Sequence, residues 1–251
     1  MAKQKGIIKI EGTIGDLTFL KTADGYLVRE KSGVSADRIA TDPAFQRTRE
    51  NGAEFGRAGK GCKLLRGAIR SVLQSAKDHR MVGRLTKEFI RVIQADSTSI
   101  RGARNVIDGE AELLAGFDFN SAAPLGSTLF ASYQTDLDRV TGLLSVDLAP
   151  FIPATAIAAP AGATHFKLLT TGTAIDFEAG NHVTDTKETG YLPLDGQLTA
   201  AISHQAVVPV ASPHPLFLLI GIQFFQEVNG GYYPLMAGAF NPLKIVGVSG
   251  L

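Results

Sequence analysis

One stretch of eight residues restricts the fold more than any other. Pro215-Leu216-Phe217-Leu218-Leu219-Ile220-Gly221-Ile222 carries no polar side chain. A strand with one wet face would alternate polar and apolar residues, and this run does not. The run is also too short to span a bilayer. It therefore predicts a central strand covered on both faces.

The surrounding sequence supplies further strands. Leu113–Phe119, Thr128–Gln134 and Val140–Leu148 precede a Pro/Ala-rich connection from Pro150 to Ala163. His165–Leu169, Ala174–Phe177, Tyr191–Leu194, Leu198–Val210 and Leu216–Val228 follow. Asn229-Gly230-Gly231 is a hairpin signal leading into Tyr232–Met236, and Lys244–Val248 ends the series. Short strands at this spacing predict a β-sandwich of Ig-like type.

The N-terminal third reads differently. Ile7–Ile10, Leu17–Leu20 and Tyr26–Arg29 are β-rich runs separated by Gly12, by Asp24-Gly25 and finally by Ser32-Gly33, a small antiparallel meander over residues 6–31. Three such strands do not stand alone in water, so they require a partner surface. Asp42-Pro43 then gives a helix-start signal. Phe55, Ala58, Cys62, Leu65, Ile69, Val72 and Ala76 recur at helical spacing. Gly52, Gly56, Gly59, Gly61 and Gly67 fall within this helix, each costing about 1 kcal/mol against alanine; they predict a close approach by another backbone, with a broken helix as the alternative. A second helix from about Asp78 has Val82, Leu85, Phe89, Val92 and Ile93 as its apolar face. The expected fold class is thus α+β, with a module of β-meander and amphipathic helices over 1–110 and a sandwich over 111–251.

Charge divides along the same line. Residues 1–110 hold 21 of the 25 Lys and Arg and 13 of the 24 Asp and Glu, net +8, and residues 111–251 are net −7. Arg57, Lys63, Arg66 and Arg70 on the first helix, and Arg80, Arg84, Lys87 and Arg91 on the second, form the candidate interaction surface. Such stripes fit a solvated face, a phosphate backbone or an acidic protein surface. Aromatic residues do not interleave with them, so single-strand stacking is not expected. A basic half meeting the acidic half of another copy would make a head-to-tail contact. Attraction within one chain is the plainer alternative.

Catalytic signatures are missing. His79, His165, His182, His204 and His214 show no metal-ligand spacing with Cys62, the one cysteine. The chain has no G-x-S-x-G elbow, P-loop or dinucleotide fingerprint. Gly56–Gly61 is glycine-rich but lacks the Walker spacing. Asp176, Glu178 and Asp185 could gather at a cation but read more simply as turn carboxylates. No cofactor, metal or catalytic residue is expected. Lysines near the N-terminus precede only Ile7-Ile8 before charge returns, so a secretory segment is not expected. The expected location is the cytoplasm, with signal-independent export left open.

The segments KGIIKIEGTIGDLTFLKTADGYLVREK (5–31), DPAFQRTRENGAEFGRAGK (42–60), RNVIDGEAELL (104–114) and APAGATHFKL (159–168) resemble a group of uncharacterised proteins from Bacteroidetes, over essentially the whole chain. A more distant resemblance is to a broader family of domains of unknown function with a glycine-rich hairpin, an arginine and a Q-R-x-x-F-type helix. Arg29, Gln46-Arg47 and Phe55 take those places here. The resemblance implies a domain plan and assigns no activity. The leading expectation is a non-enzymatic structural protein that assembles with itself into a filament, tube or shell, through basic/acidic and strand-mediated contacts. The alternatives are a nucleic-acid-binding protein and a β-sandwich recognition module for a protein or glycan, with Tyr232 and Tyr233 as a contact patch.

Overall fold

A computed structural model describes residues 2–22, 24–30, 33–76, 78–235 and 237–250. Ser32 and Met236, read from sequence as a turn and a strand end, lie outside them. The chain is mixed α+β with antiparallel sheets. It divides into two compact units, 1–49 and 50–251.

The smaller unit holds four strands: β1 (Ala2–Lys3), β2 (Gly12–Ile14), β3 (Leu17–Thr22) and β4 (Gly25–Glu30), in the order β1-β4-β3-β2. The hairpin of β3 and β4 is the one expected. Ile7–Ile10, expected as a strand, is a loop instead. Gln4 pins that loop: its side-chain oxygen accepts from the Ile10 amide at 3.0 Å and its amide donates to the Leu27 carbonyl at 3.2 Å. Helix α1 (Ala36–Thr41) follows, with the Ser35 hydroxyl accepting from the Arg38 amide. Asp42 caps a short 3-10 turn, Pro43–Phe45, through the Ala44 amide. No hydrophobic side chain among the described residues of 2–49 is buried.

The larger unit has three layers. Its helical layer is α2 (Gln46–Ala68, whose first turn counts with the smaller unit), α3 (Arg70–Leu73) and α4 (Met81–Ala95). Its strands are β5 (Tyr133–Asp138), β6 (Leu143–Leu148), β7 (His165–Asp176), β8 (Asn181–Glu188), β9 (Leu192–Pro193), β10 (Ile202–Val207), β11 (Leu216–Val228), β12 (Gly231–Pro234) and β13 (Leu243–Ser249). β10-β6-β5 form a three-stranded sheet. β12-β11-β7-β8 form the path of a six-stranded sheet, with β13 also on β11 and β9 also on β7.

Alternation along β11 explains the layering. Phe217 and Leu219 join Leu65, Leu85 and Phe89 of the helices in one core. Leu216, Leu218, Ile220 and Ile222 join Leu144, Val146 and Ala206 of the small sheet in a second core. Successive side chains point to opposite faces of a sheet, so β11 feeds both cores and is covered on both sides, as expected. The two sheets approach closely at Gly172 of β7. A Cβ there would lie 2.8 Å from the Ala206 Cβ and 2.9 Å from Leu144 Cδ1, so only glycine fits.

This shared core moves the boundary. The compact units meet at 49/50, and not at the 110/111 step in charge, because α2 and α4 bury their apolar faces on the large sheet. Strand assignments shift as well. Residues 113–119 are a 3-10 turn (Ala111–Leu114) followed by a segment beside β13, with Gly116 and Phe119 amides donating to the Ile245 and Leu243 carbonyls. His165–Leu169 and Ala174–Phe177 belong to one long strand, β7. β8 was not expected from the sequence at all.

Candidate interaction surface

Helices α2 and α4 follow the helical spacing in the sequence. Ala58, Cys62, Leu65, Leu85, Phe89, Val92 and Ile93 are buried. Phe55 and Val82, expected on those apolar faces, are instead 60% and 42% exposed. Residues Gly56–Gly61 lie inside the continuous helix α2. A phosphate loop needs consecutive free amides, and mid-helix amides are already hydrogen-bonded.

The eight basic candidates separate into two groups. Three are engaged within the chain. The Arg57 guanidinium donates to the carbonyls of Gly102 and Arg104 and so fastens the 101–105 loop over α2. Arg84 pairs with Asp78 at 2.6 Å, donates to the Asp118 carbonyl at 2.8 Å and lies 5.0 Å from the centre of the Phe117 ring. Arg91 pairs with Glu88 at 2.6 Å, one helical turn earlier.

The other five are not. Among the described residues, Lys63, Arg66, Arg70, Arg80 and Lys87 form no ion pair. Lys63, Arg66 and Arg70 line one groove of about 560 Å³ whose apolar residues are Leu73, Met81 and Val82. Its single carboxylate, Asp78, is committed elsewhere: it accepts from Arg84 and from the amide and hydroxyl of Ser121. Burial alone would raise the Asp78 pKa, but those donors outweigh it and hold the carboxyl well below its usual range. The groove is therefore cationic. Lys87 lines a separate cleft of about 540 Å³ with Arg84, Glu88 and Arg91.

An acidic surface lies across the unit. On the small sheet, Asp136 sits opposite Ser145 and Asp147 opposite Gln134 and Ser203. These positions alternate with the buried Leu144, Val146 and Leu148, so they face outward. β5, β6 and β10 contain no lysine or arginine. Asp138 is spent on a turn, accepting from Val140 and Thr141. Asp136 and Asp147 form no ion pair among the described residues. The charge split hinted at this face, but only the strand register shows which carboxylates share it.

Other sequence candidates have local partners. Asp176 caps the β7–β8 turn through the amides of Glu178 and Ala179, and Asp185 accepts from the Val207 amide. No group of three or more His, Cys, Asp or Glu among the described residues converges as a metal site. Tyr232 stacks on Tyr191 with ring centres 4.0 Å apart, and Lys167 lies 4.4 Å from the centre of the Tyr191 ring. Those contacts occupy much of both ring surfaces and leave Tyr233 the most exposed tyrosine of this patch. No helix among the described residues is long and apolar enough to cross a membrane.

Comparison with protein-family models, curated proteins and solved structures gives no match. What the chain does must therefore be argued from its own surfaces.

Proposed function

We propose that this chain is a non-enzymatic structural protein that assembles with copies of itself into a filament, tube or shell. The observation that carries the reading is the small unit's lack of a core. Its four-stranded sheet leaves Ile14 and Leu17 exposed, the adjoining loop leaves Ile7 and Ile8 exposed, and no hydrophobic side chain of residues 2–49 is buried among those described. A sheet gains stability chiefly by covering an apolar face. Short edge strands β1 and β2 leave backbone groups of β3 and β4 open to a further strand. A second copy supplies both needs. The chain's place in the Bacteroidetes group, an Ig-like kinship for the two packed sheets, and a cytoplasmic location belong to the same proposal.

Light scattering and negative-stain microscopy at low and high salt test it. Ordered filaments, tubes or rings are the expected result. A monodisperse species of one chain's mass at every salt concentration would refute it.

The cationic groove favours a second reading, binding to a nucleic-acid backbone. Three neutralised phosphates would give a log–log salt slope of about −3. Undetectable affinity for duplex DNA or RNA at low salt would end that reading. Recognition of a protein or glycan through the exposed Tyr233 is the third, and a pull-down without a specific ligand would count against it.

A further inference from the structure

We propose that the assembly contact is head-to-tail: the groove of Lys63, Arg66 and Arg70 on one copy receives the small-sheet face of Asp136 and Asp147 on the next. This inference rests on the self-assembly reading and gives it a geometry.

The layer order is the first argument. The helices cover one face of the six-stranded sheet and the three-stranded sheet covers the other. The cationic groove belongs to the helical layer. The carboxylates point outward from the small sheet. The two surfaces thus lie on opposite sides of one unit, and a single copy cannot bring them together. Among the described residues, no ion pair joins a lysine or arginine between positions 57 and 91 to a carboxylate of 111–251.

Complementarity is the second argument. Each surface carries one sign of charge that its own unit leaves unpaired. Asp136 and Asp147 are diagonal neighbours on adjacent strands, a separation of about 7–8 Å. Lys63 and Arg66 are one helical turn apart, about 5–6 Å between Cβ atoms, and their long side chains can span the difference. Val82, 42% exposed, gives the groove an apolar component that a partner would cover. A second copy fits better than nucleic acid because the groove has no aromatic residue for stacking and only three cations. A surface that binds a different surface on the next copy propagates as a ring or an open filament.

Charge exchange in the full-length chain tests the contact. One variant carries Lys63→Glu, Arg66→Glu and Arg70→Glu, and the other carries Asp136→Lys and Asp147→Lys. Unfolding midpoints confirm that both fold, and charge-neutral Gln and Asn versions replace any that does not. Sedimentation velocity reads association. Each variant alone should associate at least about tenfold more weakly than the parent. An equimolar mixture should recover parental assembly, because each groove then meets a face of opposite sign; with the neutral versions, the loss in each alone is the readout. If the parent assembles and both variants assemble equally well, the head-to-tail contact is wrong while the self-assembly reading stands. If the parent stays monomeric, the self-assembly reading fails and this contact falls with it. If the groove variant loses duplex DNA binding with assembly unchanged, the groove belongs to nucleic acid.

Discussion

Asp96 shows how a polar group is held inside this molecule. It is nearly inaccessible, yet it accepts from the amides of Thr98, Ser99 and Asn105 and from the Thr98 hydroxyl at 2.9–3.1 Å. Burial alone would raise its pKa, and these donors outweigh burial and lower it, as they do at Asp78. Removing the acceptor strands buried donors, so Asp96→Ala should cost about 2 kcal/mol in urea unfolding. The sign for pH follows from the depressed values. A carboxyl whose folded pKa lies below its unfolded value contributes stability above the unfolded value and loses it as pH falls. Stability should therefore decline below about pH 5, and Asp78→Asn with Asp96→Asn should flatten that decline. A pH series of unfolding midpoints with equal slopes in parent and variant would contradict it. Neither role was legible in sequence. Arg84 was read as one of a basic stripe, because helical spacing reports direction around a helix and says nothing of the loop residues, such as Phe117 and Asp118, that close over it. Phe55 and Val82 failed as well: spacing placed them on the apolar faces, but both stay largely exposed.

At the scale of elements, α2 tests what its glycines are for. The expectation was a close approach by another backbone. Only Gly61 is closely approached, and by a side chain: a Cβ there would lie 2.9 Å from the Phe89 ring, whereas at Gly52, Gly56, Gly59 and Gly67 it would meet nothing within 4 Å. Gly61→Ala should destabilise the fold by about 1 kcal/mol or more, because a packed ring must shift. Gly56→Ala and Gly59→Ala should each stabilise an unassembled chain by about 0.5–1 kcal/mol, since alanine lowers the entropy cost of forming the helix. Chemical unfolding separates the two outcomes. Stabilisation of the isolated chain with loss of assembly would place the open glycine face at a contact between copies. Among the strands, β11 was legible because an apolar run with no polar interruption leaves few alternatives. β8 was not, since Asn181–Glu188 is an edge strand of mostly polar residues whose Val183 is exposed. Its place comes from hydrogen bonds to β7 and from threonine pairs across the ladder, Thr171 with Thr186 and Thr173 with Thr184. Such pairing lies within one hairpin but leaves no hydrophobic period to read.

The whole molecule combines one unit that has cores with one whose described residues form none. Both hydrophobic cores lie in residues 50–251, and 2–49 contribute no buried hydrophobic side chain among those described. Sequence pattern found the two long helices and most strands but missed that boundary, because the step in charge falls at 110 while shared burial joins α2 and α4 to the large sheet. The consequence is testable by truncation. Ser35 caps α1, and the Arg49 guanidinium ties α2 to the carbonyls of Ile39 and Asp42, so a chain beginning at Ser35 keeps these links while losing the four strands. Cooperative unfolding comes from buried cores, and its urea midpoint and slope should stay close to those of the full chain. Assembly should respond differently, because the truncated chain keeps the charged groove and the acidic face but lacks the apolar sheet. Sedimentation should show weaker association whose remainder is abolished by salt, since exposed ion pairs are screened. Association as strong as that of the full chain would mean that the N-terminal strands take no part, and loss of cooperative unfolding would mean that they stabilise the cores despite burying none of their own apolar side chains.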